Sequence, residues 1–260
     1  MTNKEILMIA AAQSAVDLGA SVGDFFKSEN VIVESVNDGR ARRYLKLPFS
    51  CQLVSYGNNV VASVSREFKE ITENYINRYA VEHLFETPNI HILNDGLEKL
   101  GQRICFMAEY FLPDVEILHS TAEKLVCPYE TRIITKADFC DLYLPEWSNA
   151  LCEARRDLDV LGVGAYDGGR LVGLAGCSAD CDTMWQIGVD VLADYRRQGI
   201  ASALTSRLAV EILERGKVPF YCAAWCNLKS VRNAVKSGFR PAWVEMTAKP
   251  RETVDKMNLI

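Results

Sequence analysis

No apolar run in this chain approaches the roughly 18 residues that a membrane span requires, so no membrane partner is expected. The chain has no internal repeat, no Pro/Ser-rich linker and no block of like charge, which excludes solenoid architectures and disordered tails as organising features. Positive charge is not in excess: 29 Lys and Arg stand against 34 Asp and Glu, a net charge of −5. A phosphate backbone is held by surplus cations, so nucleic acid is excluded as the main ligand. Histidine is scarce, and His83, His91 and His119 all lie in the first half. A disulfide plan is also missing. The nine cysteines are odd in number and scattered, which fits reduced thiols and a cytoplasmic location. Apolar residues 6–12 have some character of a secretory signal, but Glu5, Gln13 and Asp17 interrupt the pattern and no cleavage site follows. A buried or amphipathic first helix is the expectation there.

What is present is ordinary in amount, with 49% apolar and 24% charged residues, the composition of a folded globular chain. The length of 260 residues allows between one and two domains of about 150 residues. The best boundary lies between His119 and Pro128, which divides the chain into residues 1–125 and 126–260. In the first part Phe68, Ile71, Tyr75 and Tyr79 recur at helical spacing among charged positions, and strand-like runs occupy 31–33, 51–56 and 104–111. These features predict a smaller N-terminal α/β domain without a recognisable chemical motif.

After Pro128 the pattern sharpens. Residues 129–134 read as a strand, and Thr135-x-x-Asp138 has the spacing of a capping box opening a helix that stops before Pro145. Two apolar runs flank Asp167-Gly168-Gly169-Arg170, where adjacent glycines supply the positive φ of a tight hairpin. In residues 184–191, Trp185, Ile187, Val189 and Val191 alternate with Gln186, Gly188 and Asp190, the pattern of a strand with two unlike faces. Gly188 within it predicts a bulge or a close backbone approach. Ala201, Leu204, Leu208 and Ile212 then form one helical stripe that Gly216 ends. A strand over 218–225, a short helix over 228–237 closed by Gly238, and a last strand from Phe239 complete the chain.

Between the two-faced strand and the striped helix stands Tyr195-Arg196-Arg197-Gln198-Gly199-Ile200-Ala201-Ser202. A turn of small residues opening a helix presents unpaired N–H groups at the positive end of the helix dipole, which suits a pyrophosphate. Arg196 and Arg197 add charge beside it. The same residues also fit an ordinary strand-helix turn with solvated arginines.

Arg196-x-x-Gly199-x-Ala201, with its strand before and helix after, resembles the acyl-CoA pyrophosphate motif of the GNAT superfamily of N-acetyltransferases. Asn227-x-x-Ser230 followed by Lys236-x-Gly238-Phe239 is similar to the second signature of that family. The resemblance covers residues 129–250 and implies an α/β (α+β) fold, a mixed and mostly antiparallel sheet flanked by helices. The first half does not share it, although a degenerate or partial copy of the same fold is one reading of that half.

The resemblance further implies acetyl-CoA, or another acyl-CoA, as co-substrate and a small-molecule amine or a protein amine as acceptor. The pyrophosphate would lie on the backbone of Arg197, Gln198, Gly199, Ile200, Ala201 and Ser202, with Arg196 opening the motif. The pantetheine arm would pair with the strand at Val189 and Val191, whose N–H groups would also serve the developing oxyanion. Asn227 and Ser230 match positions that contact the pantetheine or the adenosine. The tyrosine that many members carry seven residues after the Asn is Ala234 here, and the strand glutamate is replaced by Trp185. Tyr221, Cys226 or water then remain as acid. Asp190 stands either as base or amine ligand or as a structural carboxylate. Without these usual groups, a module that binds acyl-CoA as a sensor, without turnover, is the competing function.

Two further constellations compete. Cys177-x-x-x-Cys181 and Cys222-x-x-x-Cys226 have spacings found at structural zinc, but no Cys-x-x-Cys knuckle is present and each pair falls in or beside a strand, so no metal is expected. A covalent role for Cys226 would need a histidine, and none follows His119. Asp141, Tyr143, Glu146 and Trp147 read either as an acceptor pocket or as a helix end with an anchoring Trp.

Overall fold

The computed structural model describes residues 1–259. It resolves two compact units, one of Met1–Ile9 and Tyr110–Pro241, the other of Ala10–Glu109 and Ala242–Ile260. The expected split near residue 125 is therefore not where the compact units divide. Residues 119–124 lie inside a helix, and the chain passes between units within a helix and two long strands.

In chain order the elements are α1 (Asn3–Leu18), β1 (Val31–Glu34), β2 (Cys51–Ser55), β3 (Val61–Val64), α2 (Lys69–Ile76), α3 (Thr87–Glu98), β4 (Gln102–Pro113) and α4 (Val115–Lys124). Then come β5 (Glu130–Thr135), β6 (Asp159–Asp167), β7 (Arg170–Ser178), β8 (Met184–Val191), α5 (Ile200–Glu214), β9 (Val218–Ala223), α6 (Leu228–Lys236), β10 (Phe239–Pro250) and α7 (Arg251–Met257). The first helix forms as expected and ends at Gly19, which takes φ +72°. The helix expected after Thr135 does not form. Asp138 accepts from the Thr135 N–H at 3.0 Å as a capping box requires, but only short 3-10 turns follow, at Lys136–Asp138, Cys140–Leu142 and Pro145–Trp147. Phe139 and Trp147 are buried there together with Ile134 and Leu174, so anchoring aromatics to the sheet decides this segment over helical propensity.

The second unit orders its strands β1-β3-β2-β10-β4, with β1 parallel to β3 and β2 antiparallel to both of its neighbours β3 and β10. One apolar core joins Leu53, Ala62, Met246 and Ala248 to Phe68, Tyr75 and Ile76 of the α2 region and to Leu93 and Leu97 of α3. A separate polar cluster is wholly buried. The Arg42 guanidinium pairs with Asp17 of α1 and Glu245 of β10, and Glu245 also accepts from the Trp243 indole at 2.8 Å.

The first unit orders β4-β9-β8-β7-β6-β5, antiparallel from β5 to β8 and parallel between β8 and β9. The Gly168 and Gly169 hairpin has φ +53° and +92°, as the paired glycines predict. Ile200, Leu204, Leu208 and Ile212 of α5 pack on Val163, Val172, Ala175 and Ile187 of the sheet. Burying that stripe fixes α5 across β6, β7 and β8, with its N-terminus at the end of β8.

Candidate active site

The site begins with two strands that part. β8 pairs with β9 only at Met184–Val218, Trp185–Pro219 and Gln186–Phe220, while its pairing with β7 continues from Gln186 to Val191. The Leu192 N–H donates to the Val172 carbonyl at 3.0 Å. Antiparallel alternation then turns the backbone of Gly188 and Asp190 toward β7, and that of Ile187, Val189 and Val191 toward the edge that β9 has left. Val191 demonstrates this direction, because its carbonyl accepts from Arg196 Nε at 3.0 Å.

Gly188 marks a close approach. The β7–β8 register runs through it without a shift, and a Cβ placed there would run into the Asn149 carbonyl. Of the two readings of this glycine, the bulge is therefore the one the structure corrects. The loop that crosses it is held by Asp190, whose Oδ2 accepts from the Asn149 and Ala150 N–H groups at 2.8 and 2.9 Å and whose Oδ1 accepts from the Asn149 amide at 2.7 Å. Three donors occupy this carboxylate, so it pins a loop and is not arranged to collect a substrate proton. The base role entertained for Asp190 gives way to the structural one.

Beyond Val191 the chain turns into α5. Arg197 takes φ +64° and Gly199 φ +86°, the latter as the N-cap residue. Two left-handed residues so close together curl successive N–H groups into a concavity of the kind that receives anions. An L residue other than glycine at φ +64° is uncommon, so Arg197 holds its conformation at some cost. The wall of the turn is fixed on its far side. Gln198 accepts from the Tyr129 hydroxyl at 3.0 Å, Tyr195 donates to Asp167 at 2.9 Å, and Ile200 is buried in the core.

A cleft of about 270 Å³ opens at this turn, lined by Val191, Arg196, Gly199, Ala201 and Ser202 on one side and by α6 on the other. α6 contributes Lys229, Arg232, Asn233 and Lys236. Lys229, Arg232 and Lys236 stand one helical turn apart on one face, so five cationic side chains surround the cleft. Among the described residues, no carboxylate forms an ion pair with Arg197, Lys229, Arg232 or Lys236. The expected turn residues are thus brought together, joined by Lys236 of the second signature, and Lys229, Arg232 and Asn233 are added, which the motif reading passed over. Their signal was cationic spacing of three and four on a short helix.

Asn227 and Ser230 lie elsewhere than on the cleft wall. Asn227 caps α6, its Oδ1 accepting from the Ser230 N–H at 3.3 Å. The Ser230 hydroxyl is 2.9 Å from the Tyr221 hydroxyl. Tyr221 is the first residue of β9 past the last pairing with β8, so it sits where the two strands begin to part. Its ring is buried among Phe111, Phe239 and Ala234. Burial pushes the phenol pKa up, and hydrogen bonds from Ser230 and Asn233 pull it partly back. Cys226 is exposed on the turn before α6, and no histidine accompanies it in the site.

The remaining candidates resolve toward structure. Trp147 is buried and anchors its turn, while Tyr143 packs against the Arg156 guanidinium at 4.3 Å. The Tyr143 phenol is pushed up to about 12, mainly by burial and also by Asp159 beside it. Asp141 and Glu146 are exposed. Cys177 is buried, with burial pushing its thiol up, and Cys181 donates to the Met184 carbonyl at 3.6 Å. Among the described residues, no group of three or more His, Cys, Asp or Glu side chains could hold a metal ion.

No curated protein matches the chain. A GCN5-related N-acetyltransferase-like protein from Streptococcus suis aligns at 24% identity over 62% of this chain and 69% of its own, with a TM-score of 0.45. An acetyltransferase of the GNAT family from Colwellia psychrerythraea aligns at 13% identity over 57% of each chain, with a TM-score of 0.43, so this chain spans little over half of that protein. Such partial overlaps leave the assignment to the sequence itself, which matches the GNAT acetyltransferase family over residues 52–242, starting well before the expected boundary. The chain therefore belongs to the GNAT acetyltransferase family.

Proposed function

We propose that this protein transfers the acetyl group of acetyl-CoA to a primary amine by direct attack. The observation that carries the reading is the cleft at the α5 N-terminus, where left-handed Arg197 and Gly199 and five cations converge on one anion-shaped space in a chain of net charge −5. The backbone N–H groups of residues 197–202 suit the pyrophosphate, and Lys229, Arg232 and Lys236 suit the remaining phosphate of CoA. The free edge at Val189 and Val191 suits the amides of the pantetheine arm, and its N–H groups suit the carbonyl oxygen as charge develops.

In this reading the amine nitrogen bonds to the acyl carbon, the carbon–sulfur bond breaks, and the departing thiolate takes the proton of Tyr221. The proton lost by the acceptor nitrogen returns through water to the phenolate. Tyr221 is favoured over Cys226 because it stands where β8 and β9 part, whereas Cys226 is exposed on the turn before α6. Asn227 and Ser230 act here through α6 and Tyr221 rather than by touching the co-substrate. The acceptor class remains a primary amine of a small molecule or a protein. The nine unbridged thiols support a reducing compartment, the cytoplasm.

The competing function, an acyl-CoA sensor without turnover, draws on Ala234 and Trp185 standing where the usual acid and base are carried. Calorimetric titration with acetyl-CoA tests binding for both readings. Amine-dependent release of free CoA across an amine library supports transfer. Binding with no release from any amine, and no slow thioester hydrolysis, supports the sensor.

A further inference from the structure

A second cavity, of about 90 Å³, lies against the loop that Asp190 holds, with Ala150 and Leu151 in its wall. Ser178 and Gln186 line it from β7 and β8, on the face of the sheet away from α5, since their neighbours Cys177 and Ile187 enter the α5 core. Asp159, at the start of β6, lines it too and is only 1% exposed. Its Oδ2 accepts from the Cys152 N–H at 2.9 Å, and among the described residues no cation forms an ion pair with it. Asp190 and Asp159 thus tie the same loop, but three donors fill the first carboxylate and a single backbone donor meets the second. Arg155 borders the cavity as well, and its guanidinium is paired at 3.1 Å with buried Asp180, whose same oxygen accepts from Ser178 Oγ at 2.8 Å. Two carboxylates therefore stand against one guanidinium around this space, and the surplus negative charge falls on Asp159. Burial pushes the Asp159 carboxyl pKa up, so its ionised form gains from a cation brought against it.

We propose that this cavity is a site for a primary alkylammonium group, with Asp159 as its counter-ion, the Gln186 amide oxygen as a second acceptor, and Ala150 and Leu151 against the alkyl carbons. The small volume suits the unbranched end of an amine. Gln186 is also the last residue of β8 paired with β9, so the site adjoins the place where the two strands part. That the ammonium group belongs to the acceptor rests on the acyl-transfer reading; the ammonium site itself does not.

The test titrates the free protein with n-propylammonium and with n-propanol, its uncharged counterpart, by ligand-detected NMR. The wild type should bind the ammonium at least about 10-fold more tightly than the alcohol, because hydrogen bonds to charged groups are the stronger ones. Asp159→Asn keeps an acceptor for the Cys152 N–H and should bring the two probes within about 3-fold of each other. Should that variant fold poorly, Gln186→Lys, which places a cation in the cavity, is expected to abolish the same preference. Equal binding of the two probes by the wild type overturns the site. So does a preference that survives the substitution, because an ammonium held elsewhere on this chain of net charge −5 has no need of Asp159. In transfer assays with acetyl-CoA, Asp159→Asn should raise the KM of a linear amine about 10-fold and leave the Kd of acetyl-CoA unmoved. An unchanged KM overturns the assignment of the ammonium to the acceptor. If no amine releases free CoA from the wild type, the acyl-transfer reading fails instead, and the titration of the free protein still decides the site.

Discussion

Two clusters of charge sit in the two units and are used in opposite ways. In one, Arg42 is buried and both its acidic partners, Asp17 and Glu245, are buried with it, so every charge has an opposite partner inside the protein. In the other, Arg197, Lys229, Arg232 and Lys236 gather around a cleft, and among the described residues no carboxylate pairs with them. A satisfied buried cluster holds a fold together and has no capacity left for a ligand. An unsatisfied one on a surface adds little stability and keeps its charge for an anion. The contrast separates arginines paired inside the fold from arginines left without a carboxylate partner, without reference to any motif.

The largest effect that can break this comparison is on stability. Arg42→Met leaves Asp17 and Glu245 buried without their cation, and should cost about 3–5 kcal/mol. Arg197→Ala should stay within about 0.5 kcal/mol of wild type, as exposed substitutions do. Urea denaturation of both variants checks the difference, and equal midpoints would end the distinction. The next effect is on binding. Replacing Lys229, Arg232 and Lys236 together by alanine should weaken acetyl-CoA about 100-fold, about 2.7 kcal/mol, since exposed charge pairs contribute up to about 1 kcal/mol each. Its urea midpoint should not move, and a weaker binder that also unfolds early would assign these cations to structure.

A smaller effect sharpens the comparison at Asp190, a charge that lies close to the cleft yet is satisfied like Arg42. Asp190→Asn should cost roughly 1–2 kcal/mol through its three N–H partners. It should leave the shape of the pH–rate profile unchanged, and loss of the acidic limb would return Asp190 to the role of base. The smallest effect concerns pH. The Tyr221 phenol has a folded pKa raised above its unfolded value, so its contribution is complete below about pH 10 and is lost as pH rises through the folded value. Stability measured by urea unfolding should therefore decline above pH 10, and Tyr221→Phe should make that decline shallower.

The turn was legible in the sequence because its backbone geometry is local. Residues 196–202 are neighbours along the chain, and a strand before and a helix after are enough to orient their N–H groups. The hairpin at Gly168-Gly169 and the α5 stripe were legible for the same reason, since each depends on residues within a few positions. The Thr135 capping box was present but misleading. It satisfies its backbone donors, yet burial of Phe139 and Trp147 draws the segment into short turns. Asp190 could be read two ways because its partners Asn149 and Ala150 are forty residues away in sequence. The division into units was misplaced because β10, the last strand in chain order, returns to pair with β2 from Val244 to Thr247.

By itself, the sequence determined the strand-turn-helix unit and the family to which the chain belongs, because these rest on short-range backbone geometry and on the residue types it admits. Only the tertiary structure decided which charges are spent and which are kept. It set Asp190 to hold a loop, brought α6 across the turn to complete the ring of cations, and carried Asn233 between Ser202 and Thr205. Each of these depends on side chains meeting from elements far apart in the chain, and such meetings are settled by how α5 and α6 bury their apolar faces against the sheet.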